Sequence, residues 1–273
     1  PTLAVGLLIG AAQQDRPPDG QAGTVATVVF ETNTLRLEIG QDGVLRHLVS
    51  KPDGVEYSVA RPPCPVAIVY RGGRMVPTAE GEFGAATKRW VYQGGTQLAA
   101  TRVSLADGQM TVEFGSADVR ATYRVRRTED YLAFELIAVE GEAIDRIEFL
   151  RLRVRRLPMV GQWLGAVYDD RFGVCLCGGN LQTNMETLPT EDHVLMTAAA
   201  EAAVGFRGAT AVLFGCREPR TTFLDAMAKV EHDFRLPAGA TFRRSPLQKL
   251  SYLWATQPTP ENIDQYIHGA KLG

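Results

Sequence analysis

The run Leu150-Arg151-Leu152-Arg153-Val154-Arg155 alternates apolar and cationic residues without a break, and a period of two fits only a strand with one buried and one wet face. Thr122-Tyr123-Arg124-Val125-Arg126 repeats the pattern. Around these runs lie many short segments rich in β-branched residues, among them Thr27-Val28-Val29-Phe30, Leu35-Arg36-Leu37-Glu38-Ile39 and Val66-Ala67-Ile68-Val69-Tyr70. Gln41-Asp42-Gly43, Pro52-Asp53-Gly54 and Asp107-Gly108 separate them; Asp-Gly between such runs is a strong hairpin signal. Strands recurring at about 8–12 residues predict an antiparallel β-sandwich. The glycine pairs Gly72-Gly73, Gly94-Gly95 and Gly178-Gly179 read as further hairpin punctuation, because no phosphate-loop pattern includes them. The arginine row of residues 150–155 reads as a solvated sheet face, in preference to a polyanion-binding strip.

Beyond residue 157 the texture loosens. Asp169 and Asp170 read as a surface turn, since neighbours on a strand face opposite sides and make a poor acid/base pair. Residues 194–198 are alanine-rich and compatible with helix or strand; the surrounding sheet favours strand. The first helix is expected at residues 219–233, where Phe223, Ala226, Met227 and Val230 share helical spacing and Pro237 and Gly239 follow. The order is then about fourteen strands, one helix, a linker, and a last unit. In that unit residues 251–255 read as a buried strand. Thr259-Pro260-Glu261 then opens a helix with Ile263, Tyr266, Ile267 and Ala270 on one face and Lys271 in its last turn.

Composition narrows the partners. A net charge of -2 with mixed signs gives no case for nucleic acid or an anionic membrane, and no cofactor is implied. Cys64, Cys175, Cys177 and Cys216 form no zinc-type spacing; core filling is expected, with a disulfide to Cys64 or Cys216 left open. Residues 3–12 form an apolar run of signal-peptide length ending in Gly10-Ala11-Ala12, too short to span a membrane. An exported protein, secreted or periplasmic, is expected, with the start also truncated because no initiator Met or basic region precedes the run. The expected organisation is residues 1–23 as signal remnant and linker, 24–216 as β-sandwich, 217–247 as linker helix and connector, and 248–273 as one βα unit.

The sandwich of about two hundred residues, the helix, the linker, Ser251-Tyr252-Leu253-Trp254-Ala255-Thr256 and Ala270-Lys271-Leu272-Gly273 resemble secreted bacterial glycoside hydrolases. In that family a galactose-mutarotase-like supersandwich precedes a (β/α)8 barrel. The resemblance implies a mainly β chain: an antiparallel supersandwich, a linker helix and the start of an α/β barrel. It implies a non-catalytic N-terminal part that supports the barrel, a carbohydrate substrate, and a catalytic carboxyl pair beyond Gly273, so that this chain alone is inactive. The alternative is a self-contained carbohydrate-binding or structural β-sandwich. A mutarotase-like isomerase ranks last, because His47 and His193 lack obvious carboxylate partners in the sequence.

Candidate sugar contacts follow from residue type and place. Trp254, near the end of the expected barrel strand, offers a stacking face and Thr256 a hydroxyl, with Gln257 beside it. Trp163 with Asn180, Asn184 and Glu186 combines an aromatic platform with amide and carboxylate groups. The four histidines are too scattered for a metal site.

Overall fold

The computed structural model describes residues 26–77, 90–161, 165–246 and 259–272. Among these the chain is mainly β, built from antiparallel strands in a sandwich. The leader-like run, the expected strand at residues 251–255, Trp163, Trp254, Thr256 and Gln257 lie outside the described residues.

A first sheet of three strands is a meander of β1 (Thr27–Glu31), β2 (Leu35–Gly40) and β3 (Leu45–Ser50). The second sheet contains β4 (Ile68–Pro77), β5 (Trp90–Ala106), β6 (Gln109–Phe114), β7 (Ser116–Arg127), β8 (Leu132–Glu140) and β9 (Ile144–Arg155). Six further strands complete it: β10 (Met159–Gly161), β11 (Ala166–Tyr168), β12 (Phe172–Gly178), β13 (Asn184–Pro189), β14 (His193–Glu201) and β15 (Thr210–Arg217). Its order is β10-β11-β12-β15-β8-β7-β6-β5-β4-β9-β14-β13. An open twisted sheet this wide curls. Here it folds back far enough for β12, near one end of the order, to touch β13 and β14 at the other.

The interior follows from alternation. Phe30, Leu37, Val112, Phe134, Leu152 and Val174 come from both sheets and are buried in one cluster, and Phe30 meets Phe134 edge-on at 5.5 Å between ring centroids. Residues 194–198 are strand, as expected, within β14, whose Val194, Met196, Ala198 and Ala200 join that core. The helix expected at residues 219–233 is α1 (Pro219–Asp233). Its Phe223, Ala226, Met227 and Val230 cover a second, smaller core with Cys175, Cys177 and Phe214. A short α2 (Gly239–Arg243) follows, and α3 (Ile263–Leu272) ends the described chain. The expected Thr259 start holds in part: the amides of Asn262 and Ile263 bond its carbonyl oxygen at 3.1 and 3.0 Å, but regular helix begins only at Ile263.

Two expectations are corrected. Gly72-Gly73 and Gly94-Gly95 do not punctuate hairpins; they lie inside β4 and β5 and face each other, with Gly73 paired to Gly94. Gly72, Gly94 and Gly95 take positive φ, a conformation glycine adopts without steric cost. A Cβ at Gly95 would overlap the Arg71 carbonyl and one at Gly73 the Tyr92 ring. The pairs therefore bend one continuous hairpin. The arginine row, expected to be solvated, is half-buried. Residues 56–59 run alongside β9, with Val59 and Arg155 amides bonded across. Arg155 stacks 4.4 Å above the Tyr57 ring and Arg153 donates to the Pro62 carbonyl. A loop with no alternation of its own covers a face whose pattern looked open.

Candidate functional site

Alternation on β9 sends Ile147 and Phe149 inward and Arg146 and Glu148 to the other face; the bulge opposite Ala198/Ala199 then shifts the phase, so that Leu150, Leu152 and Val154 face the core and Arg151 joins Arg146 and Glu148. Strand register then aligns partners in rows. Tyr70 of β4, Arg146 and Glu201 of β14 form one row; Glu148, Ala199 and Asn184 the next; Arg151, Thr197 and Glu186 a third. Cross-strand neighbours on one face lie within side-chain reach, and a polar cluster results.

Arg146 is its floor, only 2% exposed. It binds Glu201 directly and lies 3.8 Å from Glu148 and 4.0 Å from Glu186. Glu148 also takes Arg151 and the Tyr70 hydroxyl, the latter at 2.7 Å. Burial, and next the Glu148 charge, hold the Tyr70 phenol far above its ordinary value, so it remains a donor. The bent hairpin brings Tyr92 over this face, its ring 4.8 Å from that of Tyr70. The Tyr92 hydroxyl donates to Asp145 at 2.7 Å, and burial with that bond pushes it up to about 12. Two polar atoms in the third row are buried with no partner among the described residues: Thr197 Oγ1 and Arg151 Nε.

Each of the three glutamates contacts a guanidinium, which makes the set a surface of oriented acceptors, unlike the separated carboxyl pair that glycosidic cleavage uses. Among the described residues no group of three His, Cys, Asp or Glu is placed to hold a metal ion. No described helix is long and apolar enough to cross a membrane.

Of the sequence-predicted contacts, Asn184 and Glu186 stand two residues apart on β13, Asn184 exposed and Glu186 in the Arg146 cluster. Asn180 does not join them. Its amide donates to the Gly208 carbonyl at 2.6 Å, and its oxygen accepts from Gln182 N and the Thr183 hydroxyl, closing the turn after β12. Asp169 closes a turn as expected, accepting the Arg171 and Phe172 amides at 2.8 and 2.9 Å. The histidines are a correction: His47 Nδ1 lies 2.6 Å from Glu56, and His193 Nδ1 lies 2.7 Å from Asp192. Glu56 is nine residues from His47 along the chain and is brought back by the strand edge. Sequence reasoning missed Tyr70, Arg146, Glu148, Thr197 and Glu201. The usable signal was Arg146-Ile147-Glu148, opposite charges at i and i+2 inside an apolar strand.

A second feature sits where the sandwich ends. α1, α2 and β11 enclose a groove of about 700 Å³ walled by Tyr168, Phe223, Leu224, Met227 and Phe242. Glu231, 8% exposed, anchors its far wall through the Ala240 amide. Phe242 is 48% exposed and, on α3, Ile263 and Ile267 are 38% and 45% exposed.

No family model matches the chain, and no curated protein does. Among solved structures it is similar to a GH31 family sulfoquinovosidase from E. rectale in complex with the aza-sugar inhibitor IFGSQ. Identity is 10%, the TM-score 0.36, and the match covers 76% of this chain and 34% of that one. The chain thus spans about a third of that protein's length.

Proposed function

We propose that this chain is the β-sandwich part of an exported glycoside hydrolase acting on glycans, and that it supports a catalytic (β/α)8 barrel without performing the cleavage itself. The observation that carries the reading is the change of surface after β15. The sandwich leaves apolar side chains open at positions well separated along the chain, Val91, Leu105, Met159, Leu181 and Val204, whereas the α1–α2 groove with Phe242 and the Ile263–Ile267 face of α3 leave large side chains open in succession. Apolar surface of this kind is a docking face, and a barrel following the sandwich is the occupant that the sequence resemblance supplies. Arg243 at the groove adds a cationic group for acidic residues of that neighbour, while Arg220 is already paired with Asp170 at 2.6 Å.

The test begins with the coding sequence beyond Gly273. Alternating strands and helices are expected there, and the longer product should release nitrophenol from aryl glycosides while the 273-residue chain does not. A reading frame that ends soon after Gly273, or glycosidase activity residing in the chain itself, overturns the proposal. Export is checked separately by fractionation of the source cell.

A further inference from the structure

We propose that a depression on the outer face of β7, β8 and β15 binds one anionic sugar unit, its carboxylate taken by Arg124 and Arg126. The choice of a sugar rests on the reading of the chain as part of a glycan-acting enzyme; the depression shares no lining residue with the α1–α2 groove. Register builds it. Gln109, Arg124, Glu135 and Thr210 form one cross-strand row over β6, β7, β8 and β15, and Arg126, Ala133 and Val212 form the next. Ala133 puts only a methyl group into the second row, and the surface sinks there to a cavity of about 230 Å³ lined by Arg124, Arg126, Ala133, Glu135, Thr210 and Phe234. Ala133 and Thr210, 4% and 7% exposed, are its floor. The Arg124 and Arg126 side chains are 64% and 48% exposed, so a solute reaches both directly.

Both guanidinium groups are held in place before any ligand arrives. Arg126 lies 4.8 Å from the Phe234 ring centroid and 5.2 Å from that of Tyr131, and donates to the Tyr131 hydroxyl. That hydroxyl donates in turn to Asp233 at 2.5 Å, and burial with this bond pushes it up to about 12, so it keeps its proton. Arg124 donates to Glu135 at 3.1 Å. Each anchor uses one terminal nitrogen of a group with several N–H donors, and among the described residues the other nitrogens have no hydrogen-bond partner. A fixed planar fork with spare donors suits a carboxylate. Among the lining residues two cations face one anion; Asp233, 4.0 Å from Arg126, lies outside the lining. An anionic ligand is therefore attracted and a neutral one gains nothing from the charge. Glu135 and the Thr210 hydroxyl, which donates its own proton to the Gly208 carbonyl at 2.8 Å, accept from ring hydroxyls. Ala133 and Phe234 offer apolar surface to the C–H groups of the ring, and the volume suits a single ring.

The experiment titrates the 273-residue protein with methyl glucuronide, methyl glucoside, acetate and inorganic phosphate, followed by calorimetry and NMR. Binding of the glucuronide at about 1 mM is expected, with the glucoside, acetate and phosphate each at least about tenfold weaker. Arg126→Lys keeps a charge but loses the fork, and Arg124→Gln loses the charge; each should weaken glucuronide binding about tenfold while the melting temperature stays near that of the parent. Should Arg126→Lys fail to fold, the more exposed Arg124→Gln decides. No glucuronide binding, a glucoside bound as tightly, acetate or phosphate bound as tightly, or unchanged affinity in either folded variant overturns the site. The two proposals fail separately: an active full-length hydrolase whose sandwich binds no glucuronide sinks only this site, and glucuronide binding by a protein with no barrel supports the site while sinking the hydrolase reading.

Discussion

Both carboxylate oxygens of Glu231 on α1 lie 3.0 Å from the backbone nitrogen of Ala240 on α2. This one side chain joins the two helices that wall the apolar groove, and both residues are buried. A charged acceptor for an amide at a helix start is a strong hydrogen bond. Glu231→Gln keeps an acceptor and should cost less than about 1 kcal/mol, whereas Glu231→Ala orphans the amide and should cost roughly 1–3 kcal/mol. Urea unfolding followed by circular dichroism checks it; equal midpoints for the two variants would mean that the bond does not hold α2 in place.

Arg146 is the centre of a larger effect. Replacing it by Met keeps its apolar stem but takes the shared guanidinium away from Glu148, Glu186 and Glu201, while Arg151 stays on Glu148. Removing one partner of a buried charged set typically costs about 3–5 kcal/mol. Adding Glu201→Gln to Arg146→Met should recover part of that loss, because it removes one of the stranded charges. Chemical denaturation of the single and double variants measures both numbers, and a double variant weaker than the single would contradict the charge account.

Acid should act through Glu56. Burial alone would raise its carboxyl, but the Leu48 and Ser58 amides, the Ser58 hydroxyl and His47 outweigh it and hold the group below its ordinary 4.5. A carboxyl with a lowered folded-state value stabilises the fold above 4.5, and that contribution is lost as pH falls through the lowered value. The melting temperature of the parent should therefore drop more between about pH 6 and pH 3 than that of Glu56→Gln. Parallel curves for the two proteins would show that Glu56 is not coupled to folding.

Elements set by local pattern were legible, and those set by distant pairing were not. The apolar spacing of Phe223, Ala226, Met227 and Val230 locates α1 from sequence, and the strict alternation of residues 150–155 locates the end of β9. In β4 and β5 the glycines mislead, because Gly-Gly marks a bend inside a strand as readily as a turn between two, and only the Gly73–Gly94 pairing decides. The polar cluster is opaque for the same reason. Glu186, Thr197 and Arg151 come from three strands and meet only through register, which a bulge at Ala198/Ala199 shifts further. Glu186 stood out in the sequence as a carboxylate beside Asn184 in a stretch that reads as a loop, residues 182–192; the strand β13 that carries it, and its tie to Arg146, come only with the fold.

Cysteine chemistry offers the last test, since the sequence left a disulfide open and the structure has all four cysteines reduced. Cys175 and Cys177 share one face of β12 beneath α1, and Cys216 follows on the neighbouring β15, while Cys64 belongs to the main core. Burial pushes the Cys64 and Cys175 thiols up and lifts Cys216 to about 12, so near pH 8 they stay protonated, and the thiol is a far weaker nucleophile than the thiolate. A disulfide-exchange reagent should find no fast-reacting thiol in the native protein and four once guanidinium unfolds it. Two thiols after unfolding without reductant would reveal a bridge and require the strands carrying those cysteines to shift. A fast native reaction would instead place one thiol at the surface, and if it mapped to Cys175 or Cys177 it would undo the second core under α1.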